Sequence, residues 1–496
     1  LSDSIAAVDN PGPRNRVLVL STVAFTAMFA VWLMLGILGS EIKKDYTLML
    51  GYDAEKAAEL KALDKQLVGE KLPYPKAART LGNMKKKVDG GGILTPEETA
   101  IEEKISPIVD RLKPHKADID SRFEWLLATA ILAGALLRLN FGIWSDKYGG
   151  KAMMILLLVV SAIPAYLVTQ ATDYTQLLIC AGLFGLAGNS FTVGIAWNSS
   201  WFPNQRKGFA LGVFGAGNVG AAGTKLLVIL SPAVLTMIPA AGYAGGLIPG
   251  GWKFIPALYS VLLLALAVAI YFIAPSPDKK PGAGRALAET LTPLKFMRVW
   301  RFSLYYVVVF GAYVALSGWL PTYYENTYAV DLRTAALVTA LFIFPASLLR
   351  PFGGYLSDIY GPRVVTYAVF IAMTLALIPM AVTDLTIVPF TALLMLVGVG
   401  MGIGKASVYK YIPNYFPKDV GAVGGLVGML GALGGFFLPK LFGYLGRETG
   451  KPETAFYVLL ALTLVSLVWL HTIVLGIKAS EKKTSPVAPS ETPVAV

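Results

Sequence analysis

Residues 136–151 read LLRLNFGIWSDKYGGK, and residues 348–363 read LLRPFGGYLSDIYGPR. The two stretches share LLR, a glycine, SD and YG at the same spacing, and they close on Lys151 and Arg363. Each puts an arginine, Arg138 or Arg350, into an apolar run, and each follows it eight residues later with an aspartate, Asp146 or Asp358. The offset between them is 212 residues, so the chain makes the same unfavourable placement twice. Two related halves, each with a charge that serves a purpose, is the reading this repeat supports.

Composition sets the medium. The 496 residues are 55% hydrophobic and only 15% charged, with a mean hydropathy of +0.60; a soluble domain carries about 25% charged residues. Apolar runs long enough to cross a bilayer recur along the chain. The single cysteine, Cys180, excludes a disulfide framework, and His115 and His471 are too far apart to form a metal-ligand pattern. No GxxxxGK[ST] loop supports ATP-driven pumping, and no nucleophile–base pair or cofactor loop supports an enzyme. No cofactor and no metal are expected. The formal charge of +12 would suggest nucleic acid in a soluble protein. Here it falls mostly in short loops, where it signals orientation, and no nucleic-acid partner is expected.

The expected fold is an all-α membrane protein with 12 transmembrane helices in two pseudo-symmetric six-helix bundles. The spans are read at 17–39, 125–145, 152–171, 176–200, 208–230, 252–274, 302–321, 334–357, 363–382, 386–412, 420–445 and 455–477. The first run is too long for a signal-peptide core and is read as a retained span. Residues 1–275 form the first bundle, 276–301 a basic cytoplasmic linker, 302–480 the second bundle and 481–496 a disordered tail. Lys and Arg gather before span 1, after spans 2, 4, 8 and 12 and in the linker, whereas 231–251 has none. Both termini are therefore placed in the cytoplasm of a cell whose cytoplasmic (inner) membrane holds the chain. Residues 41–123 are polar and charged with both signs. They are expected outside, with DAEKAAELKALDKQL and LTPEETAIEEKISPIVDRL as short helices, either as a solvated cover over the outer mouth or as a partner-binding or sensing element. Further matches join the halves: SSWFPNQRKG (199–208) with PNYFPKDVGA (413–422), and GVFGAGNVGAAG (212–223) with GGLVGMLGALGG (424–435). Six-span repeats joined by a basic linker are a transporter architecture with its site at midplane.

The arginines fit that site. Eight residues of helix put each about 12 Å deeper than its aspartate, in a bilayer core whose half-thickness is about 15 Å. A cation there costs at least about 2.5–3.5 kcal/mol on insertion scales. Spans 3 to 12 hold no Asp or Glu in their interiors to offset it. The missing negative charge is then read as the substrate. Arginine's planar fork suits flat oxyanions. The other reading is that each arginine bonds helix carbonyls or water and braces its own bundle.

The paired GxxSDxYGx[KR] loops resemble those of the major facilitator superfamily. Within it, GLAGNSFTVGIAWNSSWFP (185–203) and GVGMGIGKASVYKYIPNYFP (398–417) are similar to the paired signatures of the nitrate/nitrite porter family. The resemblance covers all 12 spans but not the 41–123 insert. It implies the major facilitator fold, nitrate and possible nitrite carriage by alternating access, and a substrate site of Arg138, Arg350, Phe191, Asn218, Tyr306 and Phe310. Ordinary packing is the other reading of the two phenylalanines. The glycine runs let helices approach closely, whether for tight packing alone or for rocking.

Importing an anion against an inside-negative potential is opposed by about 2.3 kcal/mol per 100 mV. Exchange for another anion or co-transport with protons removes that opposition. Arginine cannot exchange its proton, so Lys405 in GIGKASVYK is the proton-coupling candidate, with Lys225, Glu41 and His471 behind it. Family members that exchange nitrate for nitrite tend to carry asparagine at this place, so Lys405 points to nitrate/proton symport, with nitrate/nitrite antiport as the alternative. Lys405 as a permanent charge that adds to the anion-attracting field is also open. A small-carboxylate transporter, for formate or oxalate, and an anion-binding sensor complete the field. The expected partners are nitrate, with nitrite as a further candidate, protons and the lipid bilayer, with the chain working as a monomer.

Overall fold

The computed structural model describes residues 11–484 apart from 71, 221–238, 240, 329 and 331. In chain order its α-helices are α1 Pro11–Trp32, α2 Met34–Ile42, α3 Tyr46–Leu50, α4 Ala54–Gly69, α5 Tyr74–Asp89, α6 Pro96–Leu136, α7 Arg138–Tyr148, α8 Gly150–Leu167, α9 Tyr174–Phe184, α10 Ser190–Trp201, α11 Lys207–Gly215, α12 Phe254–Ile273, α13 Leu287–Leu291, α14 Met297–Tyr306, α15 Ala312–Tyr328, α16 Leu332–Leu348, α17 Arg350–Tyr360, α18 Pro362–Val382, α19 Ile387–Tyr415, α20 Val420–Thr449 and α21 Thr454–Thr484. Among the described residues, eleven continuous helical stretches are long and apolar enough to cross a membrane. The remaining expected span, 208–230, starts in α11 and leaves the described residues after Gly220, and Lys225 lies outside them.

The insert departs from expectation. α4 forms over the first predicted segment, its start fixed by the Asp53 carboxylate, which accepts from the Lys56 amide at 2.8 Å. The second segment is no short helix: it is the first part of α6, which runs 41 residues without a break. Thr95 and Glu98 form a reciprocal capping box, with Pro96 in the first turn. Pro107 and Pro114 sit inside the helix. The residues whose carbonyls they leave without an amide, Glu103 and Asp110, are exposed to water, so the loss is solvated and the helix continues. At 1.5 Å per residue α6 is about 60 Å long, roughly twice a bilayer core; its lower part spans and its upper part carries the insert. There α4, α5 and α6 bury Leu60, Leu63, Leu67, Ala77, Val109 and Leu112. At their base the Asp64 carboxylate accepts from the Tyr46 hydroxyl at 2.6 Å and pairs with Lys116 at 2.5 Å; burial, then Asp64, pushes the Tyr46 phenol pKa up. Arg79 on α5 reaches Asn326 on α15 at 3.2 Å, so the insert touches the second half.

The linker contains α13, and α14 begins at Met297, five residues ahead of the expected span. α21 runs to Thr484 because Ala-Ser-Glu-Lys-Lys are adequate helix formers; residues 485–496 lie outside the described residues. The two halves meet along two pseudo-equivalent contacts, α7 on α20 and α11 on α17. Glycines make the approach possible: a Cβ on Gly425 of α20 would lie 2.6 Å from the Arg138 carbonyl oxygen.

Candidate functional site

Both arginines begin a helix. The α6–α7 span breaks at Leu137 (φ −88°, ψ 1°) and the α16–α17 span at Leu349 (φ −82°, ψ 2°). These breaks aim the side chains inward, and both guanidinium groups are 1% exposed. Neither braces its own bundle alone. Arg138 Nη1 donates to the Gly428 carbonyl of α20 at 2.9 Å, and its Nε to Gly134 at 3.0 Å. Arg350 Nη1 donates to the Gly215 carbonyl of α11 at 3.0 Å, and its Nη2 to the Tyr306 hydroxyl at 3.4 Å. Each arginine thus reaches a glycine of the opposite half. The glycines are needed there: a Cβ on Gly215 would lie 2.6 Å from Arg350 Cζ, and one on Gly428 2.7 Å from the Tyr409 hydroxyl. Neither arginine forms an ion pair among the described residues.

Phe191 stands between them. Its ring centre lies 5.7 Å from Arg138 Cζ and 5.2 Å from Arg350 Cζ. Tyr306 and Phe310 stack nearly parallel to it, each at 6.3 Å between centroids, and Phe310 also lies under Arg138 at 5.8 Å. Asn218 is 2% exposed, and among the described residues neither its amide nitrogen nor its oxygen has a partner. The Arg350 Nε is unpartnered as well. The local backbone is irregular around this cage. Phe191 follows a 3-10 turn at Gly185–Asn189, Asn218 sits in another at Ala216–Val219, and Phe310 lies in a π-helical segment, Val307–Gly311. The chain therefore brings Arg138, Arg350, Phe191, Tyr306 and Phe310 into one buried region holding two cations, with Asn218 buried three residues beyond Gly215, whose carbonyl Arg350 holds. Such a region can grip a small anion from two sides.

Lys405 is fully buried at the edge of the cage. Its Nζ donates to the Ala346 carbonyl at 2.9 Å and lies 3.1 Å from the centre of the Tyr313 ring and 5.9 Å from that of Phe310. Glu41 pairs with Lys44 at 2.7 Å. His471 is not isolated, since its Nδ1 is 2.7 Å from the Tyr367 hydroxyl; neither residue is in contact with the cage. Two residues were not anticipated. Trp32 covers Arg138 at 5.3 Å while its Nε1 donates to the Ala130 carbonyl. Tyr409 meets Phe191 edge-on at 5.0 Å and donates to the Gly424 carbonyl. Tyr409 lies four residues after Lys405, hence on the same helix face, and that spacing was available in the sequence. Trp32 carried no such signal.

The cage is closed toward the loop-motif aspartates. Asp146 accepts from the Gly421 amide at the start of α20 at 2.8 Å. Asp358 accepts from the Gly208 and Phe209 amides at the start of α11 at 2.9 and 2.8 Å. Each carboxylate sits at the positive end of a helix from the other half.

The Major Facilitator Superfamily model matches residues 18–439 and 323–495. A probable nitrate/nitrite antiporter, NarK1, of Thermus thermophilus is 48% identical over 486 residues, covering 94% of this chain and 93% of that one. A nitrite extrusion protein of Bacillus subtilis is 29% identical over 360 residues, 71% of this chain and 86% of its own. Among solved structures, the human organic anion transporter MFSD10 superposes with a TM-score of 0.62 at 13% identity, covering 92% of this chain and 99% of that chain, a likeness of fold alone. With two cross-docked halves, a repeated loop motif and these relatives, the chain belongs to the major facilitator superfamily, in its nitrate/nitrite porter family.

Proposed function

We propose that this chain carries nitrate inward in exchange for nitrite across the cytoplasmic membrane, by alternating access around the Arg138–Arg350 cage, with both termini in the cytoplasm. The chain is a transporter and not an enzyme. The observation that carries the reading is the pair of buried guanidinium groups on either side of Phe191, which among the described residues have no carboxylate partner and leave the Arg350 Nε and both Asn218 amide atoms unspent. Nitrate and nitrite are flat, monovalent and acceptor-only, which suits two planar forks.

Exchange follows from electrostatics. The two guanidinium groups flank one ring at 5.7 and 5.2 Å, so they are at most about 11 Å apart. Two unit charges at that distance repel by roughly 1.5–2 kcal/mol at an effective dielectric of about 20. One belongs to each half, so closing the halves on an empty site meets that repulsion, whereas an anion between them removes it. A carrier that closes readily only when loaded exchanges one anion for another. The relatives named as an antiporter and as a nitrite extrusion protein support this mode.

A second reading, nitrate/proton symport, rests on Lys405. It is the buried cation of the cage region able to release a proton, and its ammonium meets the Ala346 carbonyl and the rings of Tyr313 and Phe310. Nitrate uptake into liposomes holding the purified chain, driven separately by a nitrite gradient and by a pH gradient, tests both. Uptake under the nitrite gradient alone is the expected result. Uptake that requires the pH gradient selects symport, and no uptake under either gradient ends the transport reading.

A further inference from the structure

The aspartate contacts of the two halves are not equivalent. Asp358 has, besides its two amides, the ammonium of Lys410 from its own half's α19 at 2.6 Å, with both side chains buried. Aligning SSWFPNQRKG with PNYFPKDVGA sets Lys410 against Ala196. At that place beside Asp146 there is a cavity of about 380 Å³. Ala196, Ser199, Lys207, Lys279 and Lys280 line it together with Asp146 and the first residue of α20, Val420. None of these three lysines has a carboxylate partner among the described residues; Lys279 lies 4.7 Å from the centre of the Trp201 ring. Ser199 is 3% exposed, and its Oγ has no partner. The one acid on the wall, Asp146, accepts from the Gly421 amide on Oδ2 and leaves Oδ1 buried without a partner among the described residues. Three ammonium groups without a carboxylate partner and an unspent buried hydroxyl outweigh its single charge.

We propose that this cavity is a second anion site, on the linker side of the cage, where a small monovalent oxyanion docks before entering the central site or after leaving it. Ser199 lies eight residues beyond Phe191 on α10, about 12 Å along the helix, so the cavity stands one step down the same wall. The competing Asp146 carboxylate keeps the site weak, which suits a station that must release its anion. The inference rests on the transport reading for its role, but its binding can be tested without transport.

The test uses the purified full chain and nitrate as probe, with ionic strength held constant by a bulky organic sulfonate. In Arg138→Lys/Arg350→Lys, which removes the central site, nitrate still raises the thermal midpoint, and adding Lys207→Gln/Lys279→Gln/Lys280→Gln abolishes that rise. Replacing the same three lysines with arginine retains it. In liposomes the triple Gln variant with both arginines intact raises the half-saturating nitrate concentration on the linker-side face three- to tenfold and leaves the other face unchanged. Loss of all nitrate stabilisation in the double arginine variant overturns the second site while leaving the central one standing, and so does an equal change on both faces. Stabilisation by phosphate but not nitrate also overturns it. Nitrate stabilisation indifferent to the arginines and lost with the lysines counts against the central site instead.

Discussion

Arg138 and Arg350 share a local design and differ in their second hydrogen bond. Each follows a one-residue helix break, and each donates Nη1 to a glycine carbonyl of the opposite half. Arg138 also turns its Nε onto the carbonyl four residues back, Gly134, at 3.0 Å. The corresponding carbonyl in the second half is Ala346, and there Lys405 takes it at 2.9 Å. Arg350 Nε is left without a partner. Lys405 therefore both adds a third cation and frees a donor on the second arginine. The aromatic setting differs in the opposite sense. Arg138 lies over three rings, Trp32, Phe191 and Phe310, whereas Arg350 lies over Phe191 and meets the Tyr306 hydroxyl. The first arginine is held and the second is poised, so the site is asymmetric although the fold repeats.

The most direct way to break this comparison is to replace either fork with a point charge. Arg138→Lys and Arg350→Lys each lower nitrate uptake at least about 100-fold, since a lysine gives up the bidentate geometry and charged hydrogen bonds are worth about 1.5–3 kcal/mol each. Size-exclusion profiles stay monodisperse, because in each case the charge is kept. Near-normal uptake in either variant would remove the arginines from the site. Next in size is Asn218→Leu, which deletes the amide that has no protein partner. It weakens nitrate binding about tenfold if that amide donates to the anion, in keeping with about 1–1.5 kcal/mol for a neutral hydrogen bond; an unchanged affinity assigns Asn218 to packing.

The repeat made the fold legible, because LLRxxxGxxSDxYG at an offset of 212 residues ties spans 2 and 8 to one another and fixes the arginine depth. The absence of span carboxylates was legible too, and among the described residues neither arginine has an ion-pair partner. The breaks at Leu137 and Leu349 were not, since both leucines are good helix formers and the break is a tertiary effect. Nor was the docking of each arginine on the other half's glycine: a glycine-rich run announces close approach without saying which carbonyl faces what. The 41-residue α6 was hidden by its two prolines, which read as helix breakers until their solvent exposure is known.

Lys405→Asn sharpens the comparison further. With the ammonium gone, the Ala346 carbonyl is open to Arg350 Nε, as Gly134 serves Arg138, and the two arginines become alike. Nitrite-driven nitrate exchange persists, the half-saturating nitrate concentration rises about three- to tenfold for the lost cation and donor, and any component of uptake driven by a pH gradient disappears. A pH-gradient component that survives the substitution rules Lys405 out of coupling.

The smallest change separates two roles for Tyr306. Its hydroxyl accepts from Arg350 at 3.4 Å, beyond the usual range for a strong bond, and its ring stacks on Phe310 at 5.0 Å and on Phe191 at 6.3 Å. Tyr306→Phe keeps both ring contacts and removes only the hydroxyl. If that hydroxyl merely steadies the poised arginine, nitrate affinity falls about twofold, because a long, poorly made bond is worth a few tenths of a kcal/mol beside the Gly215 contact that remains. A loss of tenfold or more would mean that the hydroxyl turns its proton to the anion when one is bound. Tyr306 would then be a direct ligand on the Arg350 side, and the asymmetry of the cage would extend from its cations to its neutral donors.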